Sequence, residues 1–174
     1  VDAAAAQEGE NGMNEGIKLL IVDDEVDFLD TIAERLESRG FLVTKAVDGE
    51  EALAAARGEK FDLALVDLRM PGIDGSQLLG ILKSEHRFLE VIILTGHSSV
   101  EAAVECTKLG AFDFLVKPYD LEKLLEVLQR AYEARLRRKF EHDQQRLQKL
   151  TEIATGASAL SILEALREMD DGER

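Results

Sequence analysis

Phe61-Asp62-Leu63-Ala64-Leu65-Val66 runs straight into Asp67 and then into Leu68-Arg69-Met70-Pro71-Gly72. A nearly continuous apolar run closed by a Pro/Gly turn reads as a strand covered on both faces, the kind found in parallel sheets. A carboxylate at the end of such a strand points out of the sheet. Two more runs end in polar chemistry. Ile17-Lys18-Leu19-Leu20-Ile21-Val22 ends in Asp23-Asp24, and Phe112-Asp113-Phe114-Leu115-Val116 ends in Lys117-Pro118. Three carboxylates and a lysine at the same ends of parallel strands make a site for a divalent metal and a phosphoryl group.

Outward from these runs the pattern alternates. Strands are expected at 17–22, 41–46, 61–67, 91–95 and 112–116. After the first strand, Phe28, Leu29, Ile32 and Leu36 fall at helical spacing in a segment that Gly40 stops. Asp48 caps a helix ended by Gly58, and Asp74 caps one running to about Ser84. A further helix over Ser98–Leu109 stops at Gly110, and Asp120 caps the last. Strands alternating with helices predict βαβ units, a parallel sheet and helices on both of its faces.

The last helix is long. Leu121, Leu125, Leu128, Tyr132, Leu136, Phe140, Leu147, Leu150 and Ala154 extend its apolar stripe, and no Pro or Gly interrupts before Gly156. At 1.5 Å per residue it reaches about 50 Å, too far for a small domain to cover. Its distal half is expected to need a partner, most simply a second copy in a short coiled coil. The spacing departs from a strict heptad, and Asp143 interrupts the seam. The expected organisation is a leader over 1–16, a domain over 17–130, a helical extension over 131–155 and a short helix or tail over 156–174. The Ala-rich leader has no basic or long apolar region and does not read as a signal peptide.

The formal net charge is -14. Residues 1–119 hold 23 acids and 11 bases, whereas 120–150 hold 6 acids and 8 bases. A chain this acidic is poorly suited to neutralising DNA phosphates, so direct DNA binding is not expected. The basic cluster Arg135, Arg137, Arg138 and Lys139 reads as a solvated helix face. Cys106 is alone and sits in an apolar-periodic stretch, as a buried structural thiol does. No apolar run is long enough to span a membrane, and the expected location is the cytoplasm.

Ligands of open parallel sheets bind beyond the carboxyl ends of the strands. Asp23, Asp24, Asp67, Thr95 and Lys117 all fall there. Carboxylates suit a hard ion such as Mg²⁺ or Mn²⁺. A threonine hydroxyl and a lysine ammonium suit phosphoryl oxygens, and an aspartate can be the attacking nucleophile.

Four segments carry a family resemblance: Ile21-Val22-Asp23-Asp24-Glu25, Val66-Asp67-Leu68-Arg69-Met70-Pro71-Gly72-Ile73-Asp74-Gly75, Leu94-Thr95-Gly96-His97, and Gly110-Ala111-Phe112-Asp113-Phe114-Leu115-Val116-Lys117-Pro118-Tyr119. Over about residues 17–130 the chain resembles the receiver domain of two-component response regulators. The wording is closest to receivers of enhancer-binding transcription activators and nitrogen-fixation-type regulators.

The resemblance implies a flavodoxin-like doubly wound sheet of five parallel strands in the order 2-1-3-4-5. It implies that Asp67 accepts a phosphoryl group from a sensor histidine kinase. Asp24, Asp67 and the backbone carbonyl of Arg69 would bind Mg²⁺, and Asp23 would hold a metal-bound water. Thr95 and Phe114 would form the switch pair, Lys117 would bridge Asp67 and the phosphoryl group, and Lys117–Pro118 would be cis. Arg69 and His97 would tune dephosphorylation; both are bulky, so a phosphoryl lifetime of minutes or longer is expected. Kinase specificity is expected around Phe28, Ile32 and Arg35 and the loop after the fifth strand.

Two other classes fit less well. Phosphatases of the haloacid-dehalogenase type need a second acid two residues after the nucleophile, where Arg69 stands. A phosphorylation-independent interaction module would typically have lost one of the acids or the lysine, and none is lost. No effector motif follows the domain. The polar ending Asp170-Asp171-Gly172-Glu173-Arg174 favours a stand-alone receiver over the receiver piece of a longer activator.

Overall fold

A computed structural model describes residues 14–96 and 99–156, together with Leu163 and Arg167. The leader through Met13, His97 and most of the expected short helix or tail over 156–174 lie outside the described residues. Five strands and five helices alternate: β1 (Lys18–Val22), α1 (Val26–Glu37), β2 (Leu42–Ala46), α2 (Gly49–Gly58), β3 (Leu63–Val66), α3 (Gly75–Glu85), β4 (Glu90–Thr95), α4 (Val100–Lys108), β5 (Asp113–Val116) and α5 (Leu121–Gly156). All strand pairs are parallel, and the order is β2-β1-β3-β4-β5, as expected.

The central strands β3 and β4 are buried at every position. One face of the sheet packs Val22, Val66, Val91 and Ile93 against α2, α3 and α4. The other packs Leu19, Leu63, Ile92 and Leu94 against α1 and α5. Local chemistry sets the helix starts. Asp48 and Ser99 each accept a backbone hydrogen bond in the first turn, and Asp74 and Gln77 form a reciprocal capping box. Cys106 is buried as expected, and burial pushes its thiol pKa up.

The long helix departs from its expected face. Its most buried residues are Leu124, Val127, Leu128 and Ala131. Of these the apolar stripe included only Leu128; Leu121, Leu125 and Tyr132 pack at the edge of the core. Two neighbouring ridges of the helix share the sheet contact, so a single line of large residues misplaces its centre. Farther along, Leu136, Phe140 and Leu147 are exposed.

The basic cluster is also not simply a solvated face. Arg135 Nη2 lies 2.8 Å from Asp62, just before β3, and Arg138 Nη1 lies 3.0 Å from Glu90, the first residue of β4. Glu90 is 2% exposed and also meets Lys83 at 3.4 Å. Arg138 donates to the Arg87 carbonyl, and His142 packs edge-on against Phe88. Arg135, largely buried, and Arg138, exposed, thus supply positive charge to carboxylates at the foot of the sheet. Arg137 and Lys139, both exposed, match the solvated reading. Among the described residues, no helix is long and apolar enough to cross a membrane.

Candidate functional site

The carboxyl ends of β1, β3, β4 and β5 converge. Carboxylate oxygens of Asp23, Asp24 and Asp67 all lie within 4.8 Å of one another. Asp23 and Asp67 are buried, whereas Asp24 is exposed and opens the cluster to solvent. The acidic pair is not spent on capping α1, since the cap position is Glu25 and its side chain makes no cap bond. Asp23 Oδ1 instead accepts from the Glu25 N–H at 2.9 Å.

Asp67 is fixed by the turn after it. The Arg69 N–H donates to Asp67 Oδ2 at 3.2 Å, and Gly75 N–H donates to the Leu68 carbonyl at 2.8 Å. α3 starts against the back of this turn. A Cβ on Gly75 would lie 2.2 Å from the Asp67 carbonyl oxygen and 2.6 Å from the Leu68 Cα, so only glycine fits there. Burial raises the Asp67 pKa above its ordinary value and the Asp23 charge adds to this, while hydrogen bonds from Thr95 and the Arg69 N–H and the Lys117 charge oppose it.

Lys117 reaches across the site. Its Nζ lies 2.6 Å from Asp23 Oδ2, 3.7 Å from Glu25 and 3.9 Å from Asp67 Oδ1. Its N–H donates to the Thr95 carbonyl at 2.8 Å, which ties the two strand ends together, and the Lys117–Pro118 peptide is cis. Thr95 is fully buried and hydrogen-bonds to Asp67. Phe114 pairs with Ile93 in the ladder and packs, half-buried, on the same sheet face as that residue. The sequence thus brings together Asp23, Asp24, Asp67, Thr95 and Lys117, while Phe114 stands on β5, two residues before the one that pairs with Thr95. Arg69 is exposed next to Asp67.

One expected contact residue fails. Ile32 is 1% exposed and belongs to the core between α1 and the sheet, so it offers nothing to a kinase. Its place on the buried ridge follows from its spacing with Leu29 and Leu36. Arg35 is exposed and Phe28 half-buried. The role of Gly75 is not readable from sequence, because its cause is the approach of a later helix to an earlier strand end.

Fold and site define a small doubly wound α/β domain that gathers carboxylates, a hydroxyl and a lysine at one edge of its sheet. The chain belongs to the response regulator receiver domain family, whose model matches residues 19–129. It is 36% identical over 152 residues to the nitrogen assimilation regulatory protein NtrX of Azorhizobium caulinodans, covering 86% of this chain and 33% of that protein. It is 40% identical over 119 residues to the DNA-binding transcriptional regulator NtrC of Salmonella typhimurium, covering 68% of this chain and 25% of that one. The receiver domain of NtrX from Brucella abortus superposes with a TM-score of 0.63 at 38% identity, covering 66% of this chain and 98% of that structure. The chain therefore spans about a third or less of the length of these curated relatives. The NtrX match is too long for the receiver alone and takes in part of the helix beyond it.

Proposed function

We propose that the chain is a phosphorylation-controlled switch in which Asp67 takes a phosphoryl group from a sensor histidine kinase. The observation that carries this reading is the convergence of three carboxylates within 4.8 Å, with Lys117 Nζ 3.9 Å from Asp67. Crowded, partly buried carboxylates repel one another, and such a donor set fits Mg²⁺ or Mn²⁺. Asp24, Asp67 and the Arg69 carbonyl would hold the ion. Asp23, already oriented by Lys117 and the Glu25 N–H, would hold one of its waters. When bound, the ion supplies charge neutralisation at the transferring phosphoryl oxygens.

The protein's own part is orientation. A carboxylate oxygen of Asp67 attacks phosphorus, a P–O bond forms, and the P–N bond of a phosphohistidine breaks. Lys117 moves from Asp23 toward the new phosphoryl oxygens. The Thr95 hydroxyl turns from Asp67 to donate to one of them, which vacates space for the Phe114 ring. Arg69 and His97 slow the return of water to the acyl phosphate.

Acetyl phosphate can replace the kinase. With Mg²⁺ the wild-type chain should gain the mass of one phosphoryl group; Asp67→Asn should gain none, and neither should wild type in EDTA. A phosphorylated Asp67→Asn chain would sink the assignment.

The exposed Leu136, Phe140 and Leu147 on α5 favour a homodimer through the extended helix as the state that phosphorylation alters. The likeness to NtrX and NtrC supports a second reading, in which the chain is the receiver portion of a transcription activator. In either case no direct DNA contact is assigned to residues 14–156, and the site needs no membrane.

A further inference from the structure

We propose that Phe28 is a positioning residue for Lys117, its ring face holding the ammonium beside Asp23 and Asp67. The proposal rests on the reading of Lys117 as the cation that meets the phosphoryl group, and it adds what keeps that cation in place beforehand.

Lys117 Nζ lies 3.8 Å from the centroid of the Phe28 ring. This is closer than its approach to Asp67, at 3.9 Å. An ammonium has three donor hydrogens. Asp23 takes one at 2.6 Å, while Glu25 at 3.7 Å and Asp67 at 3.9 Å attract it from beyond hydrogen-bond reach. The ring covers another side. Phe28 stands in the first turn of α1, and a T-shaped contact with the Tyr119 ring, at 6.1 Å and 86°, holds the plane of its ring. The Lys117 side chain is only 14% exposed, so the attraction operates largely out of water.

The choice of an aromatic has a chemical reason. Another carboxylate would add charge to a cluster that already crowds three, and it would compete with a phosphoryl group for the lysine. A ring attracts a cation yet bears no net charge. It is not a ligand for a hard metal ion, and it yields the ammonium to a dianion. Without it, Lys117 is free to turn toward the exposed Glu25 and solvent.

Phe28→Leu keeps an apolar side chain against the α1–α5 core but removes the ring face; Phe28→Tyr and Phe28→Trp keep both. With acetyl phosphate and Mg²⁺, Phe28→Leu should take up phosphoryl groups about 3- to 10-fold more slowly. Phe28→Tyr and Phe28→Trp should stay within about twofold of wild type on the same basis. In the wild-type NMR spectrum, without metal or phosphodonor, the Lys117 ε-methylene protons should be shifted upfield by the ring, and Phe28→Leu should abolish the shift. An unshifted wild-type Lys117 overturns the proposal, and this measurement needs no variant to fold. Wild-type kinetics in Phe28→Leu, or an equal loss in the aromatic variants, overturns it as well. If wild type takes up no phosphoryl group while the upfield shift is present, the phosphoacceptor reading has failed and the Phe28–Lys117 contact stands without a role in transfer.

Discussion

Asp67 is held in a costly state. Its carboxylate is nearly buried beside Asp23, and its pKa is raised chiefly by burial. The folded chain therefore binds a proton there more tightly than the unfolded chain does. The stability this gives is fully present at acid pH, where the carboxyl is protonated in both states, and is lost as pH rises through the folded value. In EDTA at neutral pH, Asp67→Asn should raise the melting temperature by roughly 2–4 °C, the effect of about 1 kcal/mol in a chain of this size. The gain should shrink as the pH is lowered toward the ordinary range of a carboxylic acid. Added Mg²⁺ should stabilise wild type and much less so the variant. An Asp67→Asn chain that melts below wild type in EDTA would contradict this account. At this scale the sequence is most legible where chemistry coincides with a strand end: Asp23, Asp67, Thr95 and Lys117 are marked by the apolar runs before them. The Phe28 ring over Lys117 leaves no such mark, because that contact depends on how α1 lies against β5.

Among the elements, the start of α3 is the tightest junction. Gly75→Ala would force the helix away from the Asp67 and Leu68 backbone. It should cost about 1–3 kcal/mol, as overpacking does, and slow phosphorylation of Asp67 by moving its backbone. Urea denaturation read alongside acetyl phosphate kinetics checks both effects. The middle of α5, where it crosses the foot of the sheet, is the second junction. Arg138→Met should cost about 1–2 kcal/mol in the same denaturation experiment, because it leaves the buried Glu90 with Lys83 alone. Glu90→Gln in that background should recover part of the loss. The ladders of β1, β2, β3 and β5 start one or two residues later than the apolar runs suggest, whereas β4 starts one residue earlier, at Glu90. Ile17, Phe41 and Phe61 are buried but lie just outside the ladders, packing the core from the strand entrances. Hydrophobicity reports burial, and it marks a ladder only where the backbone also pairs. Likewise, four basic residues in a row of five read as solvated until the fold supplies Asp62 and Glu90 as partners.

For the whole molecule, βαβ alternation made the doubly wound sheet legible, since right-handed crossovers leave few arrangements for five parallel strands. The expected homodimer is a property of the full chain. Sedimentation at tens of micromolar with beryllofluoride and Mg²⁺ should give a dimer for wild type. Replacing Leu136, Phe140 and Leu147 together by serine should give a monomer that still takes up phosphoryl groups. A wild-type monomer with and without the phosphate analogue would remove the dimer. The ion pairs at the foot of the sheet bear on how such a dimer is aimed. Arg135 and Arg138 grip the entrances of β3 and β4, the two strands whose far ends hold Asp67 and Thr95. The helix is thus mounted like the needle of a gauge on the pair of strands that carry the chemistry. From His142 to Gly156 it runs on for about 20 Å. A tilt of about 5° at the mounting swings the tip by roughly 2 Å over that length, about a third of the spacing between two turns of helix.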